Sequence, residues 1–264
     1  KAKRDIAPEN NQGITLVPQL LTNRADLFNK AVIELLDMGY DHVNLNLGCP
    51  SGTVVTKHKG AGFLEDPLTL QRFLDEIFEN PKIRISIKTR IGLEDESEFE
   101  TLLPIYNQYP LEELIIHPRL KTDMYRNHPR MAVFAQAVKE SSNPLCYNGD
   151  IFTTRDYEKF QCDFPRIDHI MLGRGLLRDP ALAQKIQYGD SGSEETLRLF
   201  HDELYEAYQR EMSGERNVLF KMKEIWFYLS QGMEDGEKDL KHIRKAQHLS
   251  EYEVAVQKMF RNER

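Results

Sequence analysis

The stretch HVNLNLGCPSGTVVTKHKGAGFL, His42 to Leu64, decides the fold. It begins as a strand and runs straight into a loop. Gly48 lets the backbone turn directly after the strand, and Pro50 fixes the next turn. Cys49 is thereby presented at a rim instead of being packed within the strand. A free cysteine is more often a small buried residue. One flanked by Gly and Pro at a strand end is a candidate for chemistry. The segment GAGFLED at Gly60 lacks the spacing of a dinucleotide fingerprint and does not directly follow a strand, which argues against a Rossmann site. Lys57, Lys59 and the KGAG loop read first as a solvated basic loop, with a lid or an anion contact as the alternative.

Outward from this stretch the same unit recurs. ITLVPQLL (Ile14 to Leu21) reads as a buried strand. The helix Arg24 to Tyr40 follows, with Leu27, Ala31, Leu35 and Met38 on one face and Gly39 at its stop. Pro67 to Asn80 reads as a helix capped by Asp66. RISIKTR, ELIIHPR, PLCYNGD and HIMLGRG are further strands, each followed by a helical stretch. This repetition allows an open doubly wound sheet or a (β/α)8 barrel. Gln19, Asn46, Cys49, Lys88, His117, Asn148, Asp150 and Arg174 all fall at C-terminal strand ends, which share one rim in a barrel; that favours the barrel. Six strands are readable, so either the chain is a (β/α)8 TIM barrel lacking its first two strands or the barrel reading is wrong.

From YGDSGSEE (Tyr188 to Glu195) the pattern changes, with Ser193 a helix-cap candidate. Four amphipathic stretches follow and read as a small all-α bundle. The expected domains are an N-terminally incomplete barrel over 1–190 and a helical domain over 191–264.

Composition bounds the rest. The 264 residues carry 35 basic and 42 acidic side chains, a formal net charge of −7. At 40% hydrophobic and 29% charged, the chain is globular, not disordered. No apolar run approaches the ~20 residues of a membrane helix. The opening KAKRDIAPEN has no signal-peptide core. Three cysteines exclude a disulfide scaffold and suit a reducing cytosol. A cytoplasmic protein is expected, with no membrane partner and no metal site, acting as a monomer. The acidic balance argues against nucleic-acid binding by bulk charge but leaves room for a local basic face.

Several residues could carry chemistry. Lys88 alternates with Ile85 and Ile87 and so points to the other face, where an ammonium is costly to bury without an anion or an electron-rich ring. A lone strand-end His117 is more often structural than catalytic. Cys49, Lys88 and His117 on three successive strand ends are harder to dismiss together. The last two strands end in Asn148-Gly149-Asp150 and Gly173-Arg174-Gly175. Glycine turns free backbone N–H groups for an oxyanion, and Arg174 adds a charge-assisted contact. In barrels of this kind the last two loops often hold a phosphate, so a phosphorylated cofactor is implied.

At this point the chain resembles the tRNA-dihydrouridine synthases. The resemblance rests on NLNLGCPS followed by KGAG and Leu64, then IKTRIG, IIHPR, YNGDI and MLGRG in order, and covers roughly residues 14 to 185 by motif. It implies a barrel that holds FMN, a helical tRNA-binding domain, and NADPH as transient electron donor. By matching position, Gln19, Lys88 and His117 would meet the isoalloxazine ring, and Asn148, Gly149, Asp150, Gly173 and Arg174 the phosphate. Asn46, Arg90 and Arg119 would meet the substrate, and Cys49 would be the general acid. The chemistry implied is hydride transfer from reduced FMN to C6 of uracil and proton transfer from Cys49 to C5, giving 5,6-dihydrouridine. The family's opening Pro-Met strand and the strand after it have no counterpart here. The loop after His117 reads PRLKTDMYRNHP where relatives carry a Gly and a Thr-Arg pair.

Two alternatives remain. One is an FMN barrel oxidoreductase acting on a small pyrimidine or enone. The other is a non-catalytic tRNA-binding relative. Lys221, Lys223, Lys238, Lys241, Arg244 and Lys245 could form a phosphate-facing stripe on the helical tail, although charged helix faces are usually only solvated.

Overall fold

A computed structural model of the chain describes residues 2–189, 192, 194–233 and 236–261. The cap candidate Ser193 lies outside the described residues. The chain forms two compact units, one of residues 1–149 with 164–171 and one of residues 150–163 with 172–264.

The first unit is built on six parallel strands in sequential order: β1 (Gln19–Leu20), β2 (His42–Leu47), β3 (Arg84–Gly92), β4 (Leu114–Leu120), β5 (Leu145–Tyr147) and β6 (His169–Ile170). Its helices are α1 (Ala2–Asp5), α2 (Ala25–Asp37), α3 (Gly52–Val55), α4 (Pro67–Phe78), α5 (Glu98–Tyr106) and α6 (Met131–Glu140). This element order and strand pairing are those of part of a (β/α)8 barrel.

Register divides the sheet into two unlike faces. Asn46 sits beside Lys88, Lys88 beside Ile115, and Ile115 beside Cys146, so these side chains share one face. His42, Asn44, Ser86, Arg90 and His117 are two or four residues from them and share it too. The opposite face carries Val43, Leu45, Leu47, Ile85, Ile87, Leu114 and Ile116, all buried. Burial of each such side chain stabilises the fold by about 1.5–3 kcal/mol. Phe28 of α2 and Phe63 both meet Phe73 of α4 edge-on, with centroids 6.2 and 5.3 Å apart. Asp66 caps α4 as expected, accepting from Thr69 N–H at 3.0 Å.

Two sequence expectations change. The strand over Ile14–Leu21 shortens to Gln19–Leu20, and Ile14 is 64% exposed. Pro18 has no N–H to donate; it contributes only its carbonyl, which accepts from Asn44 N–H at 2.9 Å. In α2 the buried stripe is Ala25, Phe28, Val32 and Leu35, and Leu27 is exposed. The helical period fits both stripes, and the aromatic contact of Phe28 with α4 decides between them.

The second unit contains α7 (Thr154–Asp163), α8 (Arg174–Arg178) and α9 (Leu182–Tyr188), then α10 (Glu194–Glu211), α11 (Glu215–Leu229), α12 (Gly236–Lys245) and α13 (Leu249–Arg261). The last four bury Val218, Met222, Trp226, Ile243, Tyr252 and Phe260 in one core. No helix among the described residues is long and apolar enough to cross a membrane.

Candidate active site

The polar face of the sheet carries a directional chain of side-chain hydrogen bonds. Asn46 Oδ1 accepts from the N–H groups of Gly48 (3.0 Å) and Cys49 (2.9 Å). Asn46 Nδ2 then donates to Gln19 Oε1 at 2.7 Å, and Gln19 Nε2 to Asn44 Oδ1 at 2.8 Å. Asn44 Nδ2 donates to Ser86 Oγ at 2.8 Å, and Ser86 Oγ meets His42 Nε2 at 2.9 Å. Each amide uses its oxygen on one side and its nitrogen on the other, so the chain fixes the orientation of all three. Asn46 and Gln19 are thus tied to each other and to the backbone of Cys49.

Cys49 is half-buried and unbonded to another cysteine. Its carbonyl accepts from Ala61 N–H at 3.0 Å. Gly60, at φ +56°, packs so closely that a Cβ there would lie 2.8 Å from that carbonyl oxygen. The KGAG loop is therefore a backbone brace for the cysteine loop. Lys57 in the same segment is exposed, as a solvated basic residue would be.

Lys88 projects from β3 beside Asn46. Burial, then the charge of Arg90, pushes its ammonium down to about 8. Among the described residues no hydrogen bond or ion pair reaches it. An ammonium held in this way fits an anionic or electron-rich ring placed against the polar face. Cys146, on the same face, has its thiol pushed up to about 12 by burial, and so packs as a neutral group.

His117 is buried on β4, and Arg119 Nη1 donates to its Nε2 at 3.0 Å, which leaves the ring proton on Nδ1. Arg119 also donates through Nε to Asn127 O at 2.6 Å. Arg90 is 1% exposed and donates to the carbonyls of Gly48, Leu120 and Met124. Both arginines are engaged with the protein's own backbone.

The loop after β4 is organised by Asp123. Burial alone would raise its carboxyl, but hydrogen bonds from Arg130, Asn127 and Leu120 N–H hold it at about 2. The loop presents Tyr125, 53% exposed, with its ring 6.1 Å from His117. Sequence reasoning missed both Tyr125 and Asn44. Nothing periodic marks Tyr125 in a polar loop. Asn44 was detectable, since it lies two residues from Asn46 on one strand.

The remaining candidates fall at the ends of β5 and β6. In the first unit, Asn148 Nδ2 donates to Met171 O at 2.9 Å. Gly149 follows it, where a Cβ would collide with Tyr147. In the second unit, Arg174 pairs with Asp150 at 2.7 Å and lies 5.4 Å over the Phe152 ring. Gly173 precedes Arg174 at the start of α8.

On the helical tail, Lys221 pairs with Glu224, and Lys223 donates to Ala246 O at the end of α12. Arg244 lies 5.6 Å over the exposed Phe227 ring. Lys241 and Lys245 are exposed. The side chain of Lys238 lies outside the described residues.

Comparison with known proteins identifies the family of the chain. The chain matches the Dihydrouridine synthase (Dus) family over residues 1–263. It is 27% identical over 183 residues to tRNA-dihydrouridine synthase B of Pasteurella multocida, covering 69% of this chain and 54% of that protein. It is 28% identical over 236 residues to tRNA-dihydrouridine(16) synthase of Shewanella oneidensis (86% and 72%). With its namesake from Haemophilus ducreyi it shares 30% identity over 236 residues (88% and 69%). The chain spans 54% of the length of the Pasteurella relative and 61% of a Staphylococcus epidermidis one. On the full-length family match, the chain belongs to the dihydrouridine synthase family.

Proposed function

We propose that this protein reduces uridine in tRNA to 5,6-dihydrouridine, with FMN as bound cofactor and NADPH as transient electron donor. The observation that carries the reading is Lys88, buried without an ion-pair partner among the described residues, on one sheet face with Gln19, Asn46 and His117, at the strand ends that lead to Cys49. Bound FMN, reduced by NADPH, supplies the hydride for C6 of the uracil ring. Lys88, Gln19 and His117 hold the isoalloxazine ring, with Lys88 stabilising negative charge at its pyrimidine side. Asn148, Gly149, Asp150, Gly173 and Arg174 hold the phosphate. Asn46 orients the uracil through the amide hydrogen that Gln19 leaves available. Cys49 delivers the proton to C5. Arg90 and Arg119 order the surrounding loops. The catalytic region extends over 1–190, and a helical domain over 191–264 binds the tRNA. Its Arg244–Phe227 pair joins charge to an aromatic face, a combination suited to RNA. The protein acts as a cytoplasmic monomer.

Mass spectrometry of unmodified tRNA incubated with protein, FMN and NADPH tests the activity. Conversion of tRNA but not of free uridine is expected. Turnover of a small pyrimidine or enone alone would favour the small-substrate oxidoreductase, and a preparation that takes up no flavin would favour a non-catalytic relative.

Flavin affinity should depend on pH through Lys88. Its folded value of about 8 lies below that of an ordinary lysine. Above that pH the flavin-free protein has lost the proton, and meeting an electron-rich ring requires taking it up again. Affinity should therefore fall as pH rises through 8, by at most about tenfold per pH unit. Fluorescence titration with FMN measures the slope, and Lys88→Met should flatten it. A flat wild-type profile would remove Lys88 from the flavin site. Arg174→Ala should weaken FMN retention about tenfold or more, the loss of a charge-assisted contact. Unchanged flavin occupancy after gel filtration would count against the phosphate assignment.

A further inference from the structure

Arg90 resembles a substrate residue by position, yet its surroundings describe another task. It is 1% exposed. Its Nε donates to Gly48 O at 3.1 Å, Nη1 to Leu120 O at 2.7 Å and Nη2 to Met124 O at 2.8 Å. Gly48 is the residue before Cys49. Leu120 and Met124 bracket the turn organised by Asp123. One planar fork thus reaches carbonyls on two rim loops that are remote in sequence. The ring of Tyr125 covers the guanidinium at 5.5 Å.

The second loop is held in a conformation it would not choose alone. Met124 has φ +53°, a left-handed backbone that residues with a side chain rarely adopt. Such a residue persists where its surroundings over-determine it. Its own carbonyl is the one that Arg90 Nη2 grips. Three of the guanidinium's five N–H groups are committed to these carbonyls, so swinging it toward a substrate would release the loops that it joins.

We propose that Arg90 is a positioning residue that locks the Cys49 loop to the loop carrying Met124 and Tyr125, so that the thiol and the exposed aromatic ring keep a fixed relation. Its catalytic consequence rests on the dihydrouridine-synthase reading. The mechanical coupling does not. Lysine cannot replace it, because a single ammonium lacks the rigid fork that spans three carbonyls.

The test uses the full chain with Arg90→Lys. Hydrogen exchange is read in the peptides containing Gly48–Cys49 and residues 121–126. Alkylation of Cys49 by iodoacetamide is followed by peptide mass, which separates it from the exposed Cys162. Expected are faster exchange in both peptides together and a changed alkylation rate. The kcat for tRNA should fall by about 10- to 100-fold with KM within about twofold. Asp123→Asn supplies a second variant that leaves Arg90 intact, since it loosens the far loop through Leu120, Asn127 and Arg130. It too should alter Cys49 alkylation. Exchange confined to one loop, unaltered alkylation in both variants, or a raised KM at unchanged kcat would overturn the proposal. If the wild-type chain reduces no uridine, the activity reading fails, and the paired exchange response still decides the coupling.

Discussion

Replacing Cys49 with alanine is expected to lower uridine reduction by about 10²–10⁴-fold, the usual contribution of a positioned general acid, while FMN stays bound. The hydrogen bonds that place Cys49 run through its backbone. Its N–H donates to Asn46 Oδ1, and its carbonyl accepts from Ala61 N–H. Alanine keeps both, so the substitution removes a proton donor without releasing the loop. Dihydrouridine formed in unmodified tRNA is measured by mass spectrometry, with the flavin absorbance of the same sample as the control. Undiminished turnover would sink the general-acid role. Loss of flavin together with activity would mean that the thiol shapes the cofactor site instead.

Trp226→Ala should have the largest effect on stability, about 3–5 kcal/mol. The indole is fully buried, with ring centroids 5.4 Å from His201 and 5.7 Å from Phe260. It also starts a polar chain inside the helical core. Trp226 Nε1–H donates to Tyr252 OH at 2.8 Å, and that hydroxyl meets His201 Nε2 at 2.6 Å. His201 Nδ1 meets Asp202 Oδ1 at 2.8 Å. Since the Asp202 carboxylate can only accept, a neutral His201 carries its proton on Nδ1, and Tyr252 gives its own to Nε2 while accepting from the indole. Burial lowers the His201 pKa, in keeping with a neutral ring. Truncation thus leaves both a large void and a buried hydroxyl short of a donor. A urea titration followed by far-ultraviolet circular dichroism should show an earlier helical transition, and gel-shift affinity for tRNA should fall with it. Unchanged unfolding would contradict the packing. Unchanged tRNA affinity despite a melted bundle would remove the bundle from RNA binding.

The sequence exposes those parts of the architecture that depend on neighbours along the chain. Strand alternation placed Lys88 opposite Ile85 and Ile87, and register bears this out. Asp66 caps α4 because both partners lie within one turn. What escaped depends on distant partners. β1 shrank because Pro18 can offer a carbonyl but no N–H to a neighbouring strand. The buried stripe of α2 was set by Phe73, far along the chain. The donors of Arg90 reach carbonyls between 30 and 42 residues away, and no local pattern encodes such a reach. The loop holding Tyr125 has no periodicity, and its order comes from the Asp123 carboxylate within it and from Arg90 and Arg119 outside it.

Gly60 has a consequence for how this sequence can vary. The space between it and the Cys49 backbone is one hydrogen atom wide, because a methyl carbon would lie 2.8 Å from the carbonyl oxygen and 2.9 Å from the cysteine Cβ. Cys49 therefore takes its depth from an atom that is missing as well as from the bonds its backbone makes. Substitutions at the exposed Lys57 have open solvent to occupy. At Gly60 even the smallest side chain would push the thiol out of place, so drift among homologues should run freely through one half of this loop and stop abruptly at the other.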